Sequence, residues 1–492
     1  MLQTISATRP GVRFLSDETV IGIIDEAYEI LEKIGVFVEN TEACKLLGDA
    51  GAKFSSDGKK TFIPRDLAEK SLKSAPSSIT LYDAHGNEAM HLSGDNVHFD
   101  PGSAAINVLD WETCQIRRAM TPDFIRLATL VENLPNFAAQ STSFISYDVP
   151  DEIGDRYRLF LALLYCHKPV ITGMFRTDAF EPMKDMLIAV RGSKEALREK
   201  PLAIFDACPS PPLMWSDLTT QSIIDCARYG IPSEMVSMPL SGATAPVTLI
   251  GSVTQHCAEC MAGVVICQLA KEGAPIIWGG SPSIFDMKKG TTPMGAIETM
   301  MIDSAYAQVG KSLGLPTHAY MGLSDAKVLD MQAGLETGMG AMMAALSGIN
   351  VISGAGMMDF ESLISLEKLV VDHDIVGMAL RMVEGINPHK YPRAMDLYPQ
   401  FEEKGHFLSL PHTLKWFRKE FYVPSDVIER SPLGQWQKEG SLTAGDRAHR
   451  RVKKLLEKGN KYSPPADTVK ALEDIMTANA GKYGMDKLPA RD

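Results

Sequence analysis

A chain of 492 residues that is 45% hydrophobic and 22% charged has the composition of a core-forming globular protein, which excludes disorder for most of it. Its 49 Lys and Arg stand against 61 Asp and Glu, and a net charge of -12 repels phosphate backbones and excludes nucleic acid as the main partner. The length suits one large domain with additions, since a (β/α)8 barrel occupies roughly 250 residues as a single unit.

Eight cysteines are scattered, mostly inside apolar runs, as reduced buried thiols are in a cytoplasmic protein. Met1 to Phe14 has no charged stretch followed by an apolar core, so no secretory leader is expected. A membrane span needs ~18 to 20 apolar residues, and the longest run, Met261 to Ala270, is cut off by Lys271 and Glu272. A cytoplasmic protein without a membrane segment is the expectation.

In chain order, Ser16 to Lys33 reads as an amphipathic helix, with Ser16 as N-cap and Val20, Ile23, Ala27 and Leu31 on one apolar face. Glu42 to Ala50 is a second helix, and short runs such as Ile79 to Tyr82 follow, so residues 1–95 form an α+β flank. Then a regular beat sets in. Short apolar runs suited to buried parallel strands occur at Val97–Asp100, Ala138–Ile145, Pro169–Thr172, Leu202–Asp206, Glu234–Pro239, Pro275–Trp278, Thr317–Tyr320 and Asn350–Ser353. Periodic helical stretches separate them, among them Asp155–His167, Pro246–Glu272 and Leu329–Leu346, and Ser362–Glu384 closes the series. Eight βα units in a row predict a TIM barrel of class α/β over residues 96–384. Residues 385–492 read as a helical extension that includes the basic stretch Arg447–Lys461, serving as helical padding, an oligomer surface or a partner surface, and a homo-oligomer is expected.

In such a fold the chemistry sits beyond the C-terminal strand ends. Those ends are rich in glycine and small polar residues, as in Asp100-Pro101-Gly102-Ser103, Trp278-Gly279-Gly280-Ser281 and Ser353-Gly354-Ala355-Gly356. Tight turns need glycine, and so does a smooth-floored mouth that admits a ligand. Cys257-x-x-Cys260 lacks a second pair at zinc spacing and reads as core. Neither a nucleophile elbow nor a phosphate-binding loop is present, and Asp372-His373-Asp374 reads as helix surface. Phe99, Phe175, Trp278 and Tyr320 lie at or beside the mouth, where aromatic rings can box a quaternary ammonium group; each could equally be core.

Several strings of residues have a family likeness. They are Gly35-Val36-x-Val38, Asp100-Pro101-Gly102-Ser103, Ser281-Pro282 and, most specifically, Ser324-Asp325-Ala326-Lys327-x-x-Asp330-x-Gln332-Ala333-Gly334-x-Glu336, followed by Gly348-x-Asn350-x-Ile352-x-Gly354-Ala355-Gly356-Met357. Through them nearly the whole chain resembles the trimethylamine methyltransferase family of corrinoid-dependent methylamine utilisation. The resemblance implies a TIM barrel. The archetype of the family carries pyrrolysine just after strand seven, where this chain has the standard residues Gln332-Ala333-Gly334-Leu335. It therefore implies a quaternary amine as substrate, glycine betaine foremost, with proline betaine and carnitine beside it. It also implies that the nucleophile is Co(I) of cobalamin on a separate corrinoid protein, with no catalytic residue, metal or tightly bound cofactor on this chain. The substrate-binding residues expected on this basis are Phe99, Asp100, Phe175, Arg176, Trp278, Gly280, Ser281, Tyr320, Gln332, Gly354 and Gly356. Arg176 and the backbone N–H groups of 279–281 and 354–356 are the expected partners of a substrate carboxylate. Two alternatives stay open: another barrel enzyme using Asp100, Asp206 or Asp325 as a base, and a barrel that binds a betaine without turnover.

Overall fold

In the computed structural model, which describes residues 7–388 and 393–491, the serine before the first helix caps it as its sequence position predicts. Ser16 Oγ accepts from the Thr19 N–H at 3.2 Å, and Val20, Ile23 and Ala27 on Asp17–Glu29 are buried. The first six residues of the expected flank, four of the expected extension and the final residue lie outside the described part.

Eight parallel strands follow: β1 (His98–Pro101), β2 (Gln140–Ser141), β3 (Val170–Gly173), β4 (Ala203–Ala207), β5 (Ser233–Ser237), β6 (Ile276–Gly280), β7 (His318–Tyr320) and β8 (Val351–Ala355). Each coincides with one of the short apolar runs. Strands β2 to β6 make one sheet, and β7, β8 and β1 make another. The two meet at both margins through parallel bridges, Phe99 with Phe137 and Trp278 with Thr317, so the pairing order returns to its start. Eight helices alternate with the strands: α1 (Thr121–Asn133), α2 (Gly154–Tyr165), α3 (Phe180–Arg191), α4 (Asp217–Tyr229), α5 (Leu249–Ala270), α6 (Ile297–Ser312), α7 (Met331–Leu346) and α8 (Leu366–Val383).

The hairpin Ile79–Tyr82/Glu88–Leu92 packs Ile79, Leu81, Met90 and Leu92 on Ala139, Ile171, Ile204, Ile277 and Val351, which fills the N-terminal end of the strand ring with apolar side chains. At the opposite end a four-stranded sheet of Met357–Met358, Leu363–Ser365, Asn107–Leu109 and Ile116–Arg118 continues from β8 and β1. Helix Ala444–Lys458 packs on α1 and α8 through Ala448, Val452 and Leu455. Helix Ala466–Gly481 packs on α2 and α3.

Three expectations need correction. The run Ala138–Ile145 forms a continuous strand only at Gln140–Ser141; beyond it the pairing narrows to a parallel bridge between Phe144 and Ala105, and Thr142 O accepts both the Ala104 N–H at 3.3 Å and Arg158 Nη1 at 3.1 Å. Helix α5 is 22 residues long and apolar enough, by length and composition, to cross a membrane, yet it is largely buried among neighbouring helices. Asp372, His373 and Asp374 are buried rather than on the surface. Asp372 pairs with Lys368 at 2.6 Å, the Asn136 N–H donates to His373 Nε2, and Asp374 accepts from Ser425 and Tyr422 of the C-terminal extension.

Candidate functional site

The inward residues of the ring change from apolar to polar one layer above the hairpin plug. His318 Nδ1 on β7 lies 2.6 Å from Glu234 Oε1 on β5, its Nε2 is 3.0 Å from Ser353 Oγ on β8, and Ser353 Oγ donates to Asp100 Oδ1 on β1 at 2.8 Å. All four side chains are buried. Burial pushes Glu234 and Asp100 well above the usual carboxyl range and pulls His318 down to about 3.

Above it, at the C-terminal strand ends, opens a cavity of about 310 Å³. Its lining includes Arg158 from α2, Gly173 at the end of β3 and Phe175 after it, Asp206 of β4 and Cys208 after it, Ser281 after β6, Tyr320 of β7, and Glu361 from the turn between Met357–Met358 and Leu363–Ser365. A larger groove of about 1050 Å³ lies at the C-terminal end of α8, beside Thr8 and Glu420–Tyr422, and shares none of these groups. The cavity holds one cation and two acids. Arg158 is 2% exposed; Nη1 and Nη2 donate to Thr142 O and Gly173 O at 3.1 Å each, Nε has no partner, and the Phe175 ring covers the guanidinium at 4.3 Å. Burial pulls its pKa down to about 10, which leaves it charged at neutral pH. Asp206 is raised well above the carboxyl range by burial and then by Glu234, and it faces Tyr320. Glu361 is pushed up to about 8 by burial and then by Asp206 and Asp325.

Glu361 reaches the cavity on an unusual turn. Asp359, Phe360 and Glu361 have φ of 47°, 54° and 66°, three successive non-glycine residues in the left-handed region, each costing of order 1 kcal/mol or more. Gly354, at φ 122°, occupies a place where a Cβ would press on Leu323 at 3.0 Å and on the Gly322 backbone at 3.1 Å.

The residues expected from sequence divide into two sets. Phe175, Ser281 and Tyr320 line the cavity, and Asp100 lies in the polar layer that also holds His318 and Ser353. The others are elsewhere. Trp278 is fully buried, donates from Nε1 to Tyr306 O at 3.1 Å and packs on Gly310 of α6, so it faces outward from the ring. Phe99 likewise belongs to the main hydrophobic core. Arg176 points away and pairs with Asp178 at 3.0 Å, over the Tyr483 ring. Gly280 is needed because a Cβ there would stand 2.5 Å from His256 Nε2, on the side of α5. Gln332 donates to Glu336 Oε1 at 2.8 Å on the exposed start of α7. Two of the expected backbone donors are taken: Ser281 N–H by Ser237 O at 3.0 Å, and Gly356 N–H by Asp372 Oδ2 at 2.7 Å.

The long Ser324–Glu336 string acts as a fastening. Ser324 Oγ and the Asp325 N–H both donate to Glu336 Oε2, at 2.6 and 2.8 Å, and Asp330 caps α7 through the Gln332 and Ala333 N–H groups. It fixes the loop after β7, which is the strand that carries Tyr320. Arg158, Asp206, His318, Glu234 and Glu361 were not among the expected binding residues. Arg158 had a weak signal, as a charged residue inside the apolar run Tyr157–Leu164; Glu361 had none. Among the described residues no group of three or more His, Cys, Asp or Glu side chains is arranged to hold a metal ion.

Residues 1–482 match the family model described as trimethylamine methyltransferase (MTTB). The chain is 28% identical over 475 residues to the trimethylamine methyltransferase MttB of Desulfitobacterium hafniense (strain DSM 10664 / DCB-2), covering 96% of this chain and 95% of that one. It is 29% identical over 459 residues to the glycine betaine methyltransferase of Desulfitobacterium hafniense (strain Y51), covering 93% and 94%. Among solved structures, the Methanosarcina barkeri monomethylamine methyltransferase overlays with a TM-score of 0.48 at 10% identity, covering 95% of this chain and 94% of that chain.

Proposed function

The chain belongs to the trimethylamine methyltransferase family, and from that premise we propose that it moves a methyl group from a small quaternary amine, glycine betaine first, to the Co(I) of a separate corrinoid protein and releases the tertiary amine. We read the ring of eight strands as a (β/α)8 barrel over residues 96–384, with residues 1–95 as its flank and 385–492 as its helical extension. The observation that carries the functional reading is one small cavity at the strand ends that brings together a buried guanidinium, two acid side chains and a tyrosine ring. Arg158, Asp206, Glu361 and Tyr320 line the same cavity, a set that can answer both the ammonium and the carboxylate of a zwitterion. Similarity to a glycine betaine methyltransferase supports the substrate class, as do the standard residues at Gln332–Leu335.

The chemistry needs no proton. A quaternary nitrogen is already a leaving group: the new bond forms at the methyl carbon, the C–N bond breaks, and its electron pair stays on nitrogen as a neutral tertiary amine. The corrinoid supplies the nucleophile when its carrier is docked. At about 310 Å³ the cavity is far smaller than a cobalamin, which suits a corrinoid that stays on its own protein and presents its face at the opening. The work left to this chain is binding and aim. Tyr320 and the two acids hold the ammonium, at ~0.5–2 kcal/mol for the ring once desolvated. Arg158 holds the carboxylate, and one methyl is left facing the opening with water excluded. Proline betaine and carnitine carry the same two charges and belong in the same test. Purified protein, a panel of quaternary amines and a Co(I)-charged corrinoid protein should together consume the Co(I) spectrum and yield the tertiary amine. Binding with no loss of Co(I) would favour a barrel that only binds the betaine.

A further inference from the structure

Two features of Glu361 are unrepaid within the chain. Its backbone stands in the left-handed region together with the two residues before it, and its Oε1 is shut off from water without a partner although the residue as a whole is only half-buried. A glutamate kept for structure would be paired; one kept for a ligand is aimed and left open. What holds the aim is Lys327, from the loop after β7. Its Nζ donates to Asp325 O at 2.7 Å, pairs with Asp359 Oδ1 at 3.2 Å and lies 3.9 Å over the Phe360 ring, so it grips both residues that precede Glu361. The Asp359 N–H donates to Ala326 O at 3.1 Å, and Ser362 Oγ donates to Asp359 Oδ2 at 2.5 Å, closing the turn from either side.

We propose that Glu361 is the specificity-determining residue that reads the positive charge of the substrate, and that Lys327 is the positioning residue that keeps Glu361 at the cavity by clamping the turn Asp359–Glu361. The proposal rests on reading the cavity as a quaternary-amine site and names the group that distinguishes a cation from a neutral shape. Asp206 meets the same cation from β4, and Tyr320 from β7. Asp206, however, sits on a strand of the ring, whereas Glu361 is held by a side-chain clamp and is the acid whose place a remote substitution can alter.

The test is calorimetry on the protein alone, without corrinoid, comparing glycine betaine with 3,3-dimethylbutanoate, which replaces the charged nitrogen with carbon and keeps the carboxylate. The wild type should prefer betaine. E361Q should cut that preference by about tenfold or more, through weaker betaine binding with little change for the isostere that lacks the cation. K327M should cut it by about threefold or more, and K327R, which keeps a cation over Phe360, should restore it. A merely structural role would weaken both ligands alike and leave the ratio unmoved. Should E361Q fail to fold, E361D, which keeps the charge but withdraws it from the cavity, takes its place and should also lower the ratio. A wild type that binds betaine, with an unchanged ratio in the Glu361 variants, overturns this proposal and leaves the functional reading standing. A wild type that binds no quaternary amine overturns both.

Discussion

Replacing Arg158 with Met separates the two jobs assigned to the buried guanidinium. It removes two charge-assisted bonds, to Thr142 O and Gly173 O; Thr142 O keeps the Ala104 N–H at 3.3 Å, while Gly173 O loses this donor. Each bond is worth about 1.5–3 kcal/mol, and part of that is returned because the variant no longer desolvates a charge. A net stability loss of about 2–4 kcal/mol in denaturant unfolding follows. Affinity is a separate reading. Loss of a charge-assisted contact to the substrate carboxylate should weaken glycine betaine by about 10- to 150-fold. Choline has no carboxylate and should change by less than about threefold under the same substitution. Destabilisation falls on both ligands equally, so the ratio of their dissociation constants, measured by calorimetry, isolates the carboxylate contact. An unchanged ratio in Arg158→Met would refute the assignment of Arg158 and with it the zwitterion reading of the cavity.

Tyr320→Leu should weaken betaine and choline alike by about 3- to 30-fold, the loss of one desolvated cation–π contact, in the same titrations. Trp278→Phe should leave both affinities unchanged while lowering unfolding stability by about 1–3 kcal/mol, since the indole is packed outside the ring and donates to Tyr306 O. Betaine affinity should rise with pH towards about 8 and then level off. The cation binds a carboxylate, and below that pH the empty cavity holds Glu361 protonated, so binding must release its proton, at a cost of about tenfold per pH unit. The groups that act on Glu361 are Asp206, Asp303, Tyr320 and Cys208, all raised, and Asp325 at about 6, with the charged Arg158 in the same cavity lining; the Glu361→Gln profile should lose the step near 8.

The strand order was legible because parallel strands buried on both faces are short apolar runs bounded by turn residues, and each of the eight runs carries a strand. The same property hid which way the aromatics face. A strand apolar on both sides has no alternation to read, so Trp278, outward on β6, and Tyr320, inward on β7, looked equivalent. Asp372-His373-Asp374 looked exposed because three polar residues follow one another. They are buried because α8 lies under helix Ala444–Lys458 and because Tyr422 and Ser425 close over Asp374. Glu361 could not be found by pattern at all: its role depends on a left-handed turn of non-glycine residues that no local signal announces. The Ser324–Glu336 string was found for its family likeness, and its physical work proves to be fastening the loop after β7 to α7.

The central claim is methyl transfer from a quaternary amine to a corrinoid carried by another protein. Its most direct test is a single mixture of this protein, glycine betaine and a Co(I)-charged corrinoid protein, followed by the Co(I) absorbance and by the amine released. The account predicts that Co(I) absorbance falls only when all three are present, with one dimethylglycine formed for each Co(I) lost. Steady Co(I) absorbance across glycine betaine, proline betaine and carnitine, or demethylation that proceeds without the corrinoid protein, would contradict it.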